Sequence, residues 1–409
     1  MTAAPGEALM ARLDDLARFT DQPGALTRLY LSPAHKAATR QVAAWMEEAG
    51  MAAEVDAVAN VAGRYEGERP GLPAVLLGSH IDTVRDAGRY DGNLGVIAAI
   101  QAVAELNRRG ERLPFAVEVL AFGDEEGVRF PTALAGSRAV AGTFDPATLD
   151  ARDADGVSVR EALEAFGCDP SAIPSIARRR DQALAYVEVH IEQGPVLEAE
   201  GLPVGVVTAI NGASRFKAEV TGEAGHAGTV PMGLRKDALA AAAEMVLAVE
   251  RRAAAAPELV GTVGRLEVAP GAVNVIPAAA RFTIDLRAPD DAVRNAAAAD
   301  IENAFRDTAV RRGVELRLER TYDEPARACD PALIEQLAAT VEHAGIRPRR
   351  LPSGAGHDGL AMAALCPIGM LFVRCEGGIS HNPAESITTE DADVAVRVLL
   401  DFLRRFRPA

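Results

Sequence analysis

Apolar positions along the chain fall into short, dense runs divided by turns, and the period of each run predicts its element. Leu9, Leu13 and Leu16 recur at helical spacing around Asp14 and Asp15, which predicts an amphipathic helix at the N-terminus. Residues 74–77 (AVLL) are apolar without a break, as expected of a strand buried on both faces. Helical periodicity over 94–106, ending near Gly110, predicts a helix. Strands are expected at 115–122 and 185–191, the latter with Val187, Val189 and Ile191 on one face. Such alternation of strand and helix implies a largely parallel sheet with helices on both sides.

Between about residues 211 and 325 the order changes. Strand 216–220, helix 237–251, strand 260–268, strand 281–286, helix 292–311 and strand 314–320 make a β-α-β-β-α-β series. That series is the split unit of ferredoxin-like domains. The α/β pattern then resumes with helix 331–344, strand 368–373 and helix 390–406. The expected architecture is therefore α/β: a mixed, largely parallel sheet with flanking helices, carrying an inserted ferredoxin-like α+β lid. Residues 1–210 and 326–409 would form the sheet domain and 211–325 the lid, with hinges near 209–212 and 322–326.

Composition narrows the partners. The 409 residues are 49% apolar, enough to fill two cores. A net charge of −15 argues against nucleic acid or an anionic membrane surface as the main partner. It leaves room for an anionic substrate, because a few local cations can override the mean field. Cys168, Cys329, Cys366 and Cys375 are scattered without CxxC spacing, which suits a reducing compartment and disfavours a cysteine-built zinc site. No apolar run approaches the roughly 20 residues that a membrane helix needs. The N-terminus reads as an amphipathic helix and not as a signal peptide, so the cytoplasm is expected.

The candidate chemistry gathers at strand ends. GSHIDTV (78–84) and DGN (91–93) place His80, Asp82 and Asp91 within twelve residues, just after the run 74–77. Open α/β sheets build their sites there. His80 and Asp82 are two apart and share a face on extended backbone, so one could hold a metal while the other steadies it. FGDEEG (122–127) directly follows strand residues 117–121 with three acids in succession. Neighbouring acids point apart, so one could ligate while the other works as a general base. Spacing leaves both Asp124/Glu125 and Glu125/Glu126 open as the working pair. HIEQG (190–194) and HNPAE (381–385) add His190 and His381. Together these clusters suit two borderline divalent ions bridged by one carboxylate. His35 and His343, in polar helical stretches, are expected at the surface.

GSHIDTV, DGNLGV, DEEGVRFP, HIEQGPVLE, GHAGTVPMGLRKDA, NVIP with DLR, SGAGHDG and GISHNPAE occur in this order along nearly the whole chain. By these motifs the chain resembles the hydantoinase/carbamoylase branch of the dimetal aminoacylase/carboxypeptidase superfamily. TRLYLSP (27–33) and EEGVRFP (125–131) are most similar to the allantoate amidohydrolases. The resemblance implies that His80, Asp91 and His190 hold one ion and Asp91, Glu126 and His381 the other. It makes Glu125 the general base and Asp82 the residue that orients His80. The peptidase branches usually place a carboxylate where His190 stands, so HIEQG favours ureido cleavage.

The resemblance further implies Gln193, His226, Asn274 and Arg287 as substrate contacts, with His226 a donor to the oxyanion. A small carboxylate-bearing substrate is expected, with Arg287 as its clamp. Two divalent ions per subunit are implied, Mn or Zn favoured and Co or Ni allowed. A homodimer through the lid and hinge closure during turnover are also expected. Allantoate hydrolysis to ammonia and carbon dioxide, within purine breakdown, is the first expectation. An N-carbamoyl-L-amino-acid or β-ureido acid hydrolase comes next, and an aminoacylase or peptidase after that.

Overall fold

The computed structural model describes residues 5–408. Helix Pro5–Leu16 and helix Pro33–Glu48 lead into a hairpin of β1 (Ala52–Val55) and β2 (Val61–Tyr65). Next come β3 (Ala74–His80), helix Asn93–Arg108, β4 (Ala116–Phe122), β5 (Ala183–Ile191) and β6 (Val204–Ile210). A second group follows: β7 (Gly212–Thr221), β8 (Gly225–His226), β9 (Val260–Thr262), β10 (Leu266–Ala269), β11 (Val275–Ile276), β12 (Ala279–Ala288) and β13 (Glu315–Glu324). The chain ends with β14 (Arg327–Ala328), β15 (Arg350–Ser353), β16 (Ile368–Val373) and helix Thr389–Arg405.

Two units emerge. The first comprises residues 1–208, 328–351 and 357–409, and the second 209–327 with 352–356. The short return of 352–356 to the second unit is not visible in the sequence pattern.

In the first unit the sheet order is β1-β2-β4-β3-β5-β16-β6-β14, with β15 on β6. The central pairs β3–β4, β3–β5 and β5–β16 are parallel, and the pairs β1–β2, β2–β4 and β6–β16 are antiparallel. All residues of β3, β4 and β16 are buried, as their unbroken apolar runs require. Helix Asn93–Arg108 packs on β3 and β5 and is buried nearly all round, which drives it into the core. Because the central strands are parallel, their C-terminal ends share one edge. Register puts His80 beside Phe122 and His190 beside Phe372 on that edge.

The second unit is antiparallel, with order β10-β12-β7-β13 and β9 also pairing with β12. Helices Ala238–Ala254 and Asp291–Arg312 cover its apolar face, where Phe216, Val220, Met245, Phe282, Ile284 and Phe305 are buried. The segment 260–268 reads as one strand in sequence but is two, interrupted at Val263–Arg265. No helix among the described residues is long and apolar enough to cross a membrane.

Candidate metal centre

Four strand ends deliver the site. His80 is the last residue of β3, His190 the last but one of β5, and Glu125 and Glu126 lie in the turn after β4. His381 follows β16 in a Gly-rich loop, and Asp91 precedes helix Asn93–Arg108.

Asp91 is the centre of the arrangement. Its Oδ1 lies 3.1 Å from His190 Nε2 and 3.4 Å from His80 Nε2. Oδ2 faces the other way, 3.2 Å from His381 Nε2, and accepts from Gln193 Nε2 at 2.8 Å and Ser380 Oγ at 2.7 Å. One oxygen per side is the geometry of a bridge. His381 Nε2 is 3.7 Å from Glu126 Oε2, and His80 Nε2 is 3.8 Å from Glu125 Oε2. Three sets have donor atoms within 4.8 Å of one another: His80/Asp91/His190, Asp91/Glu126/His381 and His80/Glu125/Glu126.

Each ring is fixed from behind. His80 Nδ1 sits 3.0 Å from the Asp82 carbonyl and His190 Nδ1 2.9 Å from the Ile191 carbonyl. With Nδ1–H donating to these carbonyls, both rings turn Nε2 toward Asp91, the nitrogen that would ligate an ion once it has given up its proton. Gly92, at φ +64°, passes so close that an added Cβ would meet the His80 ring at 2.4 Å.

The placement of Asp82 departs from the sequence argument. β3 ends at His80, so the shared-face rule for extended chain does not reach Asp82. Its main-chain carbonyl holds the ring, while the nearest carboxylate oxygen is 3.9 Å away. The carboxylate instead accepts from the amides of Glu125 and Glu126, each at 3.2 Å, and so fixes the acidic turn. Asp124 also differs from its neighbours: at φ +68° it turns inward, is fully buried, and accepts from Thr132 Oγ1.

The electrostatics show what the site is built for. Burial pushes the Glu125 carboxyl well above its usual range, with Glu126, Asp358 and Asp82 adding to the effect against His80. Burial and Asp91 raise Glu126 to about 7. Burial would also raise Asp91, but hydrogen bonds from His190, His381 and His80 hold it well below the carboxylate range. Crowded buried carboxylates need compensating positive charge. Glu126 Oε1 is buried with no hydrogen-bond partner, and the donor set is nitrogen and oxygen throughout. These residues fit a pair of divalent ions.

Sequence reasoning passes over several residues that shape this site. Arg28 is fully buried: its Nε donates to Ile81 O, Nη1 to Leu16 O and Phe19 O, and Nη2 to Asn93 Oδ1. It ties the N-terminal helix to the residue after His80 and to Asn93, two beyond Asp91, and burial lowers its guanidinium to about 10. Arg28→Lys is expected to cost on the order of 3 kcal/mol, since one ammonium cannot serve four acceptors. Urea unfolding reads this, and a loss under about 1 kcal/mol would contradict the clamp. His35 is buried and not at the surface, because its ring packs between Tyr30 and Phe166 beneath the acidic turn. Burial lowers its imidazole to about 3. His343 is exposed and pairs with Asp401. His357, from SGAGHDG, packs against His190 with ring centroids 4.4 Å apart and planes tilted by 60°.

Of the expected substrate contacts, Gln193 lies within the site. Its amide nitrogen is on Asp91, its φ is +57°, and its Oε1 is buried without a partner. The other three belong to the second unit. His226 and Asn274 are exposed neighbours across the β8–β11 ribbon, where Ala227 N donates to Asn274 O. Gly228 N donates to His226 Nδ1 at 3.0 Å, so the neutral ring carries its proton on Nε2. Arg287 is half-buried; Nε and Nη2 grip Asp285 and Nη1 reaches Gly354 O.

Residues 76–405 match the profile of peptidase family M20/M25/M40. The chain belongs to this family. It is similar to the N-carbamoyl-L-amino acid amidohydrolase of Geobacillus stearothermophilus, at 44% identity over 96% of this chain and 97% of that one. It is also similar to the allantoate deiminase of Arabidopsis thaliana, at 41% identity over 96% and 81%. Among solved structures, a hydantoinase/carbamoylase-family amidase from Burkholderia multivorans superposes with a TM-score of 0.93. That match has 36% identity and covers 98% of this chain and 97% of the other. The hydantoinase/carbamoylase resemblance and the α/β architecture expected from sequence both hold.

Proposed function

We propose that this M20 amidohydrolase cleaves the carbamoyl C–N bond of a small carboxylate-bearing ureido compound, with allantoate as the leading substrate. N-carbamoyl-L-amino acids and N-carbamoyl-β-alanine are the alternative. The observation that carries the reading is Asp91, whose two oxygens face His80/His190 on one side and His381 on the other. Relatives named for both substrate classes support the reaction type. The motifs TRLYLSP and EEGVRFP tip the choice toward allantoate.

His80, Asp91 and His190 would hold one ion and Asp91, Glu126 and His381 the other. Two divalent ions there, Mn or Zn by preference, would polarise the carbonyl and acidify water. Glu125 takes the proton of the attacking water and returns it to the leaving nitrogen. The balance is one ureido group plus one water giving an amine, ammonia and carbon dioxide. Asp82 keeps Glu125 and Glu126 in place through their amides. His226 offers an Nε2–H donor for the oxyanion, and Gln193 and Asn274 contact the polar groups of the substrate.

Arg287 would receive the substrate carboxylate. Asp285 holds Nε and Nη2 and the Gly354 carbonyl accepts from Nη1, which leaves one N–H on each terminal nitrogen for a second carboxylate. Arg287→Ala should lower kcat/KM by roughly 10–100-fold, mainly through KM, as loss of a charged hydrogen bond does. An unchanged KM would remove Arg287 from recognition.

The second unit as lid and dimer contact, in a cytoplasmic homodimer, completes the reading. Light scattering showing monomer mass alone at working concentration would remove the dimer. The substrate is tested by ammonia release with allantoate, N-carbamoyl-L-amino acids and N-carbamoyl-β-alanine side by side. Preference for a carbamoyl amino acid would keep the mechanism and replace the substrate.

A further inference from the structure

Glu385 closes the HNPAE motif and is assigned no role by the ligand set, yet it is 5% exposed and fully engaged. Its Oε1 accepts from the amides of Tyr90 at 2.7 Å and Asp91 at 3.1 Å. Its Oε2 lies 3.1 Å from Ser380 Oγ, whose hydroxyl is also 2.7 Å from Asp91 Oδ2. One carboxylate thus joins the main chain of the bridging residue to the residue just before His381. Backbone accommodation points the same way: a Cβ on Gly88 would lie 2.3 Å from the Glu385 side chain, so the Asp91 loop closes around it.

His80 and His190 stand on central strands and need no such support. His381 does need it. Its side chain is 51% exposed, its φ is +53°, and its loop carries Gly377 and Gly378 in the left-handed region. From this asymmetry we propose that Glu385 is a positioning residue, which holds the His381 loop against Asp91 and thereby sets the affinity of one of the two ions. The ion affected is the one assigned to Asp91, Glu126 and His381. The inference rests on the dimetal reading and concerns how unequal its two halves are.

The role is geometric, so the charge of Glu385 is dispensable. In Glu385→Gln the amide oxygen can still accept from Tyr90 and Asp91, and the amide nitrogen can donate to Ser380 Oγ. Glu385→Ala leaves two buried N–H groups without an acceptor and frees the loop. Ser380→Ala removes the hydroxyl that joins Glu385 to Asp91 Oδ2 and that accepts from Gln193 Nε2, but leaves the Glu385 bonds to the Tyr90 and Asp91 amides, which guards against a Glu385→Ala chain that fails to fold.

Calorimetric titration of the metal-stripped full chain with Mn²⁺ and with Zn²⁺ tests the proposal without substrate. The parent should take up two ions. Glu385→Ala and Ser380→Ala should each weaken one ion by about 10–100-fold, the usual effect of losing a group that orients a ligand. The second ion should stay within about threefold. Glu385→Gln should behave like the parent. Equal weakening of both ions, or of neither, would overturn the proposal. Failure of Glu385→Gln to match the parent would also overturn it, by making the effect electrostatic. A parent that takes up no ions at all would instead sink the dimetal reading beneath it.

Discussion

Glu125→Gln is expected to lower kcat by about 10²–10⁴-fold, the range that positioned proton transfer supplies, while both ions remain bound. Glutamine keeps the size of the side chain and one acceptor oxygen, but replaces the other oxygen with an NH2 donor and cannot carry a proton from water to the leaving nitrogen. Glu125 contributes to neither of the ion triads centred on Asp91, although its Oε2 is 3.8 Å from His80 Nε2. KM should change little, because the proton transfer belongs to the transition state. Ammonia release and metal content, measured on one preparation, separate the cases. Loss of an ion together with loss of rate would make Glu125 a ligand, and the alternative group His80/Glu125/Glu126 would then be the relevant one.

Asp91→Ala is expected to remove both ions and with them all measurable turnover. No other residue stands in both triads centred on this site. Its removal also deprives Gln193 and Ser380 of their shared acceptor and leaves His80, His190 and His381 facing an empty centre. Affinity should fall by more than the roughly 10–100-fold caused by losing an outer hydrogen-bond partner. His381→Ala should release one ion only. Metal content after desalting against a weak chelator reads both variants. An Asp91→Ala protein that keeps one ion per chain would refute the bridge.

The parallel strands were legible because burial on both faces leaves an unbroken apolar run, as at 74–77 and 368–373. Strand ends in such a sheet gather at one edge, so short motifs far apart in sequence could be read as one cluster. The edge strand Ala52–Val55 and its neighbour Val61–Tyr65 carry no such run and stay silent. Helix Pro33–Glu48 has a polar average, which hides the buried face carrying His35, Val42 and Met46.

Within the site, the ligand types were visible but their division between two ions came from family resemblance. Arg28 and Glu385 were not visible as working residues at all. Most of their partners are main-chain carbonyls and amides, and those groups leave no mark on a sequence. Asp82 illustrates the same limit, since its carboxylate serves two backbone amides and the His80 ring rests on a carbonyl.

The most direct test of the account is a comparison of bond types in the metal-reconstituted protein. Ureido substrates (allantoate and an N-carbamoyl-L-amino acid) are run beside an N-acyl amino acid and a dipeptide, with Glu125→Gln as the control. The account predicts ammonia release from a ureido substrate, little or no cleavage of the acyl and peptide bonds, and near-silence in the variant. Cleavage of the acyl or peptide substrate without ammonia from either ureido compound would contradict it.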